Sequence, residues 1–116
     1  SIALGVDGKW AAENPETMKT VVAALSEAYE KVNREPEWAV EEAKKKFPDI
    51  DGEAVAETIR AFIENDIWNP TGGLSDESVK ESMTFFIETG AVQGDPKTID
   101  VSKYFDLEAT KDLQSK

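Results

Sequence analysis

Apolar positions recur at helical spacing in four stretches of the chain. The first runs through Met18, Val21, Val22, Leu25, Tyr29 and Val32, with Ala24 and Ala28 on the same side. Lys19, Glu27, Glu30, Lys31 and Arg34 fall opposite. Asn14 stands where a side chain can accept from the open N–H groups of a first turn, and Pro15 fits the first helical position. Glu16 adds charge that the helix dipole favours there. This helix is predicted to run to about Asn33, because Pro36 disfavours helical geometry at Glu35. Pro36 opens a second helix to about Phe47, with Trp38, Ala39, Ala43 and Phe47 as its buried stripe. Its acids lead and its lysines follow, Glu41 and Glu42 before Lys44, Lys45 and Lys46, which suits both the dipole and i,i+4 pairing. Asp51 caps a third helix with a core face of Val55, Ile59, Phe62 and Ile63, ending near Asn65-Asp66. Ser75 caps a fourth, with Asp76 and Glu77 in its first turn and Val79, Met83, Phe86 and Ile87 inward. Gly90 is its stop, with Val92 placed for the accompanying hydrophobic contact.

Between and around these helices the pattern breaks. Ile2 to Val6 is a short apolar run closed by Asp7-Gly8, and it reads as a strand. No second convincing strand is present to pair with it, which hints at a fold that extends upstream of Ser1. The chain also opens Ser1-Ile2-Ala3-Leu4 without an initiator Met, so the start looks cut. Ile67 to Gly73 is irregular, and Asn69-Pro70-Thr71-Gly72-Gly73 is turn chemistry. Asp100 to Leu107 forms one ordered knot, and residues 108–116 are polar and expected to fray. The expectation is one domain over 1–116, mainly α, with four helices and a short N-terminal strand.

The 116 residues suit a single small domain. With 13 Lys plus Arg against 24 Asp plus Glu, the formal charge is -11. Such a surface repels phosphate backbones and anionic membranes, so neither nucleic acid nor a lipid surface is an expected partner. Cys and His are both absent. Disulfides, thiolate nucleophiles and zinc ribbons are thereby excluded, and the usual general base and transition-metal ligand is missing. No apolar run approaches the ~20 residues that span a bilayer.

Candidate chemistry is thin. Asp49-Ile50-Asp51-Gly52-Glu53 resembles the opening of a calcium loop, which requires Gly at its sixth position and Glu at its twelfth. Here Gly52 falls fourth and Arg60 twelfth, so a helix cap is the better reading. Thr71-Gly72-Gly73 lacks the following Lys-Ser or Lys-Thr of a P-loop. Ser75, Ser78 and Ser82 have no His for a triad. No carboxylate sits in an apolar stretch that would raise its pKa. Pro70 blocks glycosylation at Asn69. The sequence therefore offers no catalytic residue, metal ligand or cofactor. Of the three Trp, Trp38 lies on a helix stripe and is assigned to the core. Trp10 lies a few residues ahead of the first helix and is placed over its start. Trp68 and Asn69, in the irregular segment, are the ligand-contact candidates, with packing the favoured role for Trp68.

Two stretches together resemble a known family. One is Lys9-Trp10-Ala11-Ala12-Glu13-Asn14-Pro15-Glu16 leading into Val21-Val22-Ala23-Ala24-Leu25, with Asn33-Arg34-Glu35-Pro36-Glu37-Trp38-Ala39 after it. The other is Gly73-Leu74-Ser75-Asp76-Glu77-Ser78-Val79, then Gly90, then Ile99-Asp100-Val101-Ser102-Lys103-Tyr104-Phe105-Asp106. In order and spacing they are similar to the C-terminal part of substrate-binding proteins of the nitrate/sulfonate/taurine class of ABC importers. The chain departs from that pattern at Glu108-Ala109-Thr110-Lys111, where the family has aromatic or apolar residues.

The resemblance implies a type 2 periplasmic-binding-protein fold, in which two α/β lobes close over a small solute and deliver it to a membrane permease. This chain matches the helical part that packs on the first lobe. The implied location is periplasmic or extracellular, at the membrane through the transporter. Most solute contacts of the family lie upstream, so no further ligand residue is carried over. Two other readings stand beside this one. The first is a fragment of an enzyme resembling thiamine-pyrimidine synthases, whose His and Cys clusters this chain lacks. The second is a free-standing helical interaction module. A fragment that has lost its sheet is also expected to pair with a second copy of itself.

Overall fold

Prolines set the entry of the two central helices. The computed structural model describes residues 4–72 and 74–114. Pro15 opens α2 (Pro15–Arg34) and Pro36 opens α3 (Pro36–Lys46), each where no internal donor is lost. A single residue, Glu35, joins them, its N–H donating back to the Lys31 carbonyl at 2.8 Å. Ahead of α2 lies a short helix, α1 (Gly8–Glu13), and after α3 come α4 (Gly52–Glu64) and α5 (Asp76–Glu88). Two 3-10 turns, Val101–Lys103 and Glu108–Thr110, lead into a last short helix, α6 (Lys111–Gln114). The described residues are mainly helical and include no strand.

The closest pairing of elements is α3 against α4. Ala39 and Val40 of α3 and Val55 and Ala56 of α4 are all buried, and their small volumes allow the two backbones to approach. Outside this seam the Arg60 guanidinium forks onto Glu37, at 3.0 and 3.3 Å. The pair is exposed, so it fixes register more than it adds stability. The α3 stripe is therefore rotated from the expected one. Trp38 is 40% exposed and Phe47 54%, while Val40 is buried at 1%. Trp38 sits at the edge of the 39/40/43 arc, where its ring takes the Lys31 ammonium at 3.9 Å. Phe47 is the residue at which α3 ends, so it leaves the helical face.

On α2, Met18, Val21, Val22, Leu25, Tyr29 and Val32 are half-buried, whereas Ala24 and Ala28 face solvent. The fully covered residue of this helix is a polar one, Ser26. On α5, Val79 and Met83 are buried but Phe86 lies at the surface.

Among the described residues the N-terminal strand is not formed. Leu4 to Val6 is irregular and exposed, and the remaining strand residues, Ile2 and Ala3, lie outside the described residues. A strand needs a ladder partner for its backbone groups, and no described segment offers one. The segment from Gly8 forms α1 instead, with the Asp7 carboxylate accepting from the Trp10 N–H at 2.8 Å. Trp10 thus belongs to a helix rather than to its approach. Asn14 also acts differently from expectation. Its amide donates to the Trp10 carbonyl at 2.9 Å and closes α1, and it makes no side-chain cap on α2.

The C-terminal stretch is built from aspartate turns. Asp100 accepts from the Ser102 N–H at 3.1 Å and hydroxyl at 2.6 Å, starting the first 3-10 turn. Asp106 accepts from the Glu108 and Ala109 N–H groups and starts the second. Residues 108–114, read from sequence as the frayed end, are therefore helical, and Leu113 is buried. Ser115 and Lys116 lie outside the described residues. The radius of gyration is 16.6 Å, with extents of 45 × 35 × 26 Å. A compact domain of this length would measure about 13 Å.

Candidate functional site

The segment 65–72, between α4 and α5, holds both ligand-contact candidates. Asp66, at a φ of +53°, ends α4 in the left-handed region, a conformation Asp tolerates better than most residues. The Ile67 N–H then returns to the Phe62 carbonyl at 3.0 Å. This turns Trp68 onto Phe62, edge to face, with ring centroids 5.3 Å apart. Asn69 folds onto its own neighbours. Its oxygen accepts from the Thr71 N–H at 2.9 Å and hydroxyl at 2.6 Å, and its amide donates to Asp66 at 2.8 Å.

Two polar side chains of α2 clamp this segment. The Ser26 hydroxyl donates to the Pro70 carbonyl at 2.7 Å. The Asn33 amide donates to the Trp68 carbonyl at 2.8 Å and to its own helix at Tyr29, at 2.7 Å. On the far side, Thr110 of the second 3-10 turn packs against Gly72. The structure thus brings Trp68 and Asn69 together, but with ring and amide engaged internally. The loop braces α2 against α4 and the C-terminal turns. Ser26 and Asn33 are the residues that sequence reasoning missed. A signal for them existed: they are polar, seven residues apart, and so sit two turns apart at the margin of one apolar face.

The Asp49–Glu53 segment is a cap, as its spacing indicated. Asp51 accepts from the Glu53 and Ala54 N–H groups at 3.1 and 3.0 Å, and the twelfth residue, Arg60, is the partner of Glu37. Among the described residues no group of three or more acids is placed to hold a metal ion. No helix among them is long and apolar enough to cross a membrane.

The shifted carboxylates are shifted in one direction. Hydrogen bonding from Arg60 and its charge hold Glu37 below the usual range, and Lys45 does the same for Glu42. The Ser102 hydroxyl and N–H lower Asp100. A general acid working near neutrality needs the opposite shift. Two shallow concavities lie on the outer side of α5, around Phe85.

No protein-family model, curated protein or solved structure matches the chain.

Proposed function

We propose that the chain is the C-terminal helical part of a solute-binding protein of an ABC importer, of the nitrate/sulfonate/taurine class, working by capture and delivery without catalysis. The observation that carries this reading is where the family-like segments fall. Asn14-Pro15 stands at the junction of α1 and α2, and Pro36 opens α3. Ser75 and Ser78 form the capping box of α5, and Asp100 caps the first 3-10 turn. Gly90, at a φ of +78°, follows the end of α5. The resembling residues are thus boundary residues, in the family's order, and boundaries are what set a path of chain.

Shape supports the same reading. Leu4, Val6, Trp10, Ile67 and Tyr104 are all at least 42% exposed on an extended body, as expected of a layer that packs against a larger one. In this reading the solute sits between lobes outside this chain, the partner is the importer's permease, and the protein works in the periplasm or at the cell exterior. Trp68 and Asn69 shape the layer and do not touch solute.

The gene upstream of the Ser1 codon provides the test. The expected result is an export signal and alternating strands and helices over two lobes. The full product should then gain thermal stability with nitrate, taurine or an alkanesulfonate. A start codon directly before Ser1 would overturn the proposal and leave the helical interaction module, the reading that exposed Phe85 favours.

A further inference from the structure

On α5, Val79 and Met83 turn inward, while Phe85 stands 61% exposed with Phe86 beside it, ring centroids 5.9 Å apart. Two open, shallow depressions in the α5 surface, lined by α5 residues alone, adjoin Phe85. Asp76, Glu77, Glu81 and Glu88 border the larger, with Lys80 the only cation among its described residues. Glu81 borders the smaller as well. A lone exposed apolar residue needs no explanation, but an exposed aromatic pair on an open helix face, bordered by charge, has the apolar centre and polar rim from which a docking face can be built.

We propose that this face of α5 docks a basic amphipathic helix of a partner protein. Apolar side chains of the partner, spaced at i, i+3 and i+4, straddle Phe85, and its Lys or Arg residues reach the four carboxylates. Charge chooses the occupant. The rim carries four acids against one base, on a chain of formal charge -11. A second copy would bring the same acids to the same face, and nucleic acid or anionic lipid would be repelled. Phe85 is the anchor and the carboxylates are the selective rim. The inference is independent of the importer reading.

The test uses the 116-residue chain and a helical peptide with Leu at heptad a and d positions and Lys elsewhere. Its counterpart carries Glu in place of Lys. Binding is read by fluorescence anisotropy and by amide chemical shifts. The Lys peptide is expected to bind with shifts centred on 76–88, and the Glu peptide not to bind. Phe85→Ala should weaken binding by about tenfold or more. Reversing the rim with Glu81→Lys and Glu88→Lys should do the same and admit the Glu peptide. Reversing Glu57→Lys and Glu64→Lys on α4 changes net charge equally and should leave affinity within about threefold, because distant exposed charges are screened. Equal loss from both charge pairs would reduce the effect to net charge and overturn the proposal. Concentration-dependent self-association that Phe85→Ala abolishes would give the face to a second copy instead. If the full gene product keeps α5 covered and ignores the peptide, the face belongs to its own protein, which also overturns it. If Phe85→Ala fails to fold by circular dichroism, the two charge pairs decide.

Discussion

Gly72 shows what a single position can demand. Its φ is +90°, and a Cβ there would stand 2.8 Å from Thr110 Cγ2. Both the backbone strain and the clash act at the point where the C-terminal turns meet the 65–72 segment. Gly72→Ala is expected to cost about 1–3 kcal/mol by urea denaturation. Adding Thr110→Ser removes the nearest methyl and should recover only part of the loss, since the φ is unchanged. Full recovery would mean that sterics alone fix this residue. Ser26 makes the complementary case: it is 4% exposed on a face that otherwise carries apolar side chains, and its position makes sense only through the Pro70 carbonyl it reaches.

At the scale of elements, the ends of helices are set locally, and this is why so many were legible. Pro15, Pro36, Asp51, Ser75 and Gly90 each act on atoms within a few residues, so a reader of the sequence sees both cause and effect. α5 depends on such a device. Ser75 accepts from the Ser78 N–H at 3.1 Å, and Ser78 returns the contact to the Ser75 N–H at 2.9 Å. Ser75→Ala should destabilise the chain by about 1 kcal/mol and speed amide exchange at 77–79 before it affects α3 or α4. Uniform loss of protection would show that α5 does not open separately. What sequence could not supply was the rotation of faces. The α3 arc is fixed by α4, a tertiary matter, so Trp38 was placed inward and Val40 overlooked. α1 is too short to show a period, and α6 carries one covered apolar residue, Leu113, too few to reveal a buried face. The loop was legible as irregular from Asn69-Pro70-Thr71-Gly72. Its clamps were not, because Ser26 lies 44 residues from Pro70 and Asn33 lies 35 from Trp68.

For the whole molecule, the covered interior is modest and the outline long. A chain of this length folded on one core would approach 13 Å in radius of gyration (a rough scaling value), against the 16.6 Å found. Small-angle scattering of a dilute sample should give a value at or slightly above 16.6 Å once hydration is included. A result near the compact figure would mean that α5 and the last turns fold back over the α3–α4 seam. The charge of -11 opposes association of such an open body through its exposed aromatics.

The clamp on the 65–72 segment also bears on how a chain of this kind can change in length. Ser26 and Asn33 are about 10 Å apart along α2, and the carbonyls they hold, at Pro70 and Trp68, are two residues apart. Adding or deleting one residue between those carbonyls would carry one of them away from its donor. The 68–70 stretch is therefore frozen in length, while 93–98, exposed and joined mainly to itself, is free to grow or shrink. Lineages descended from such a chain should record their insertions there, and leave Trp68, Asn69 and Pro70 consecutive.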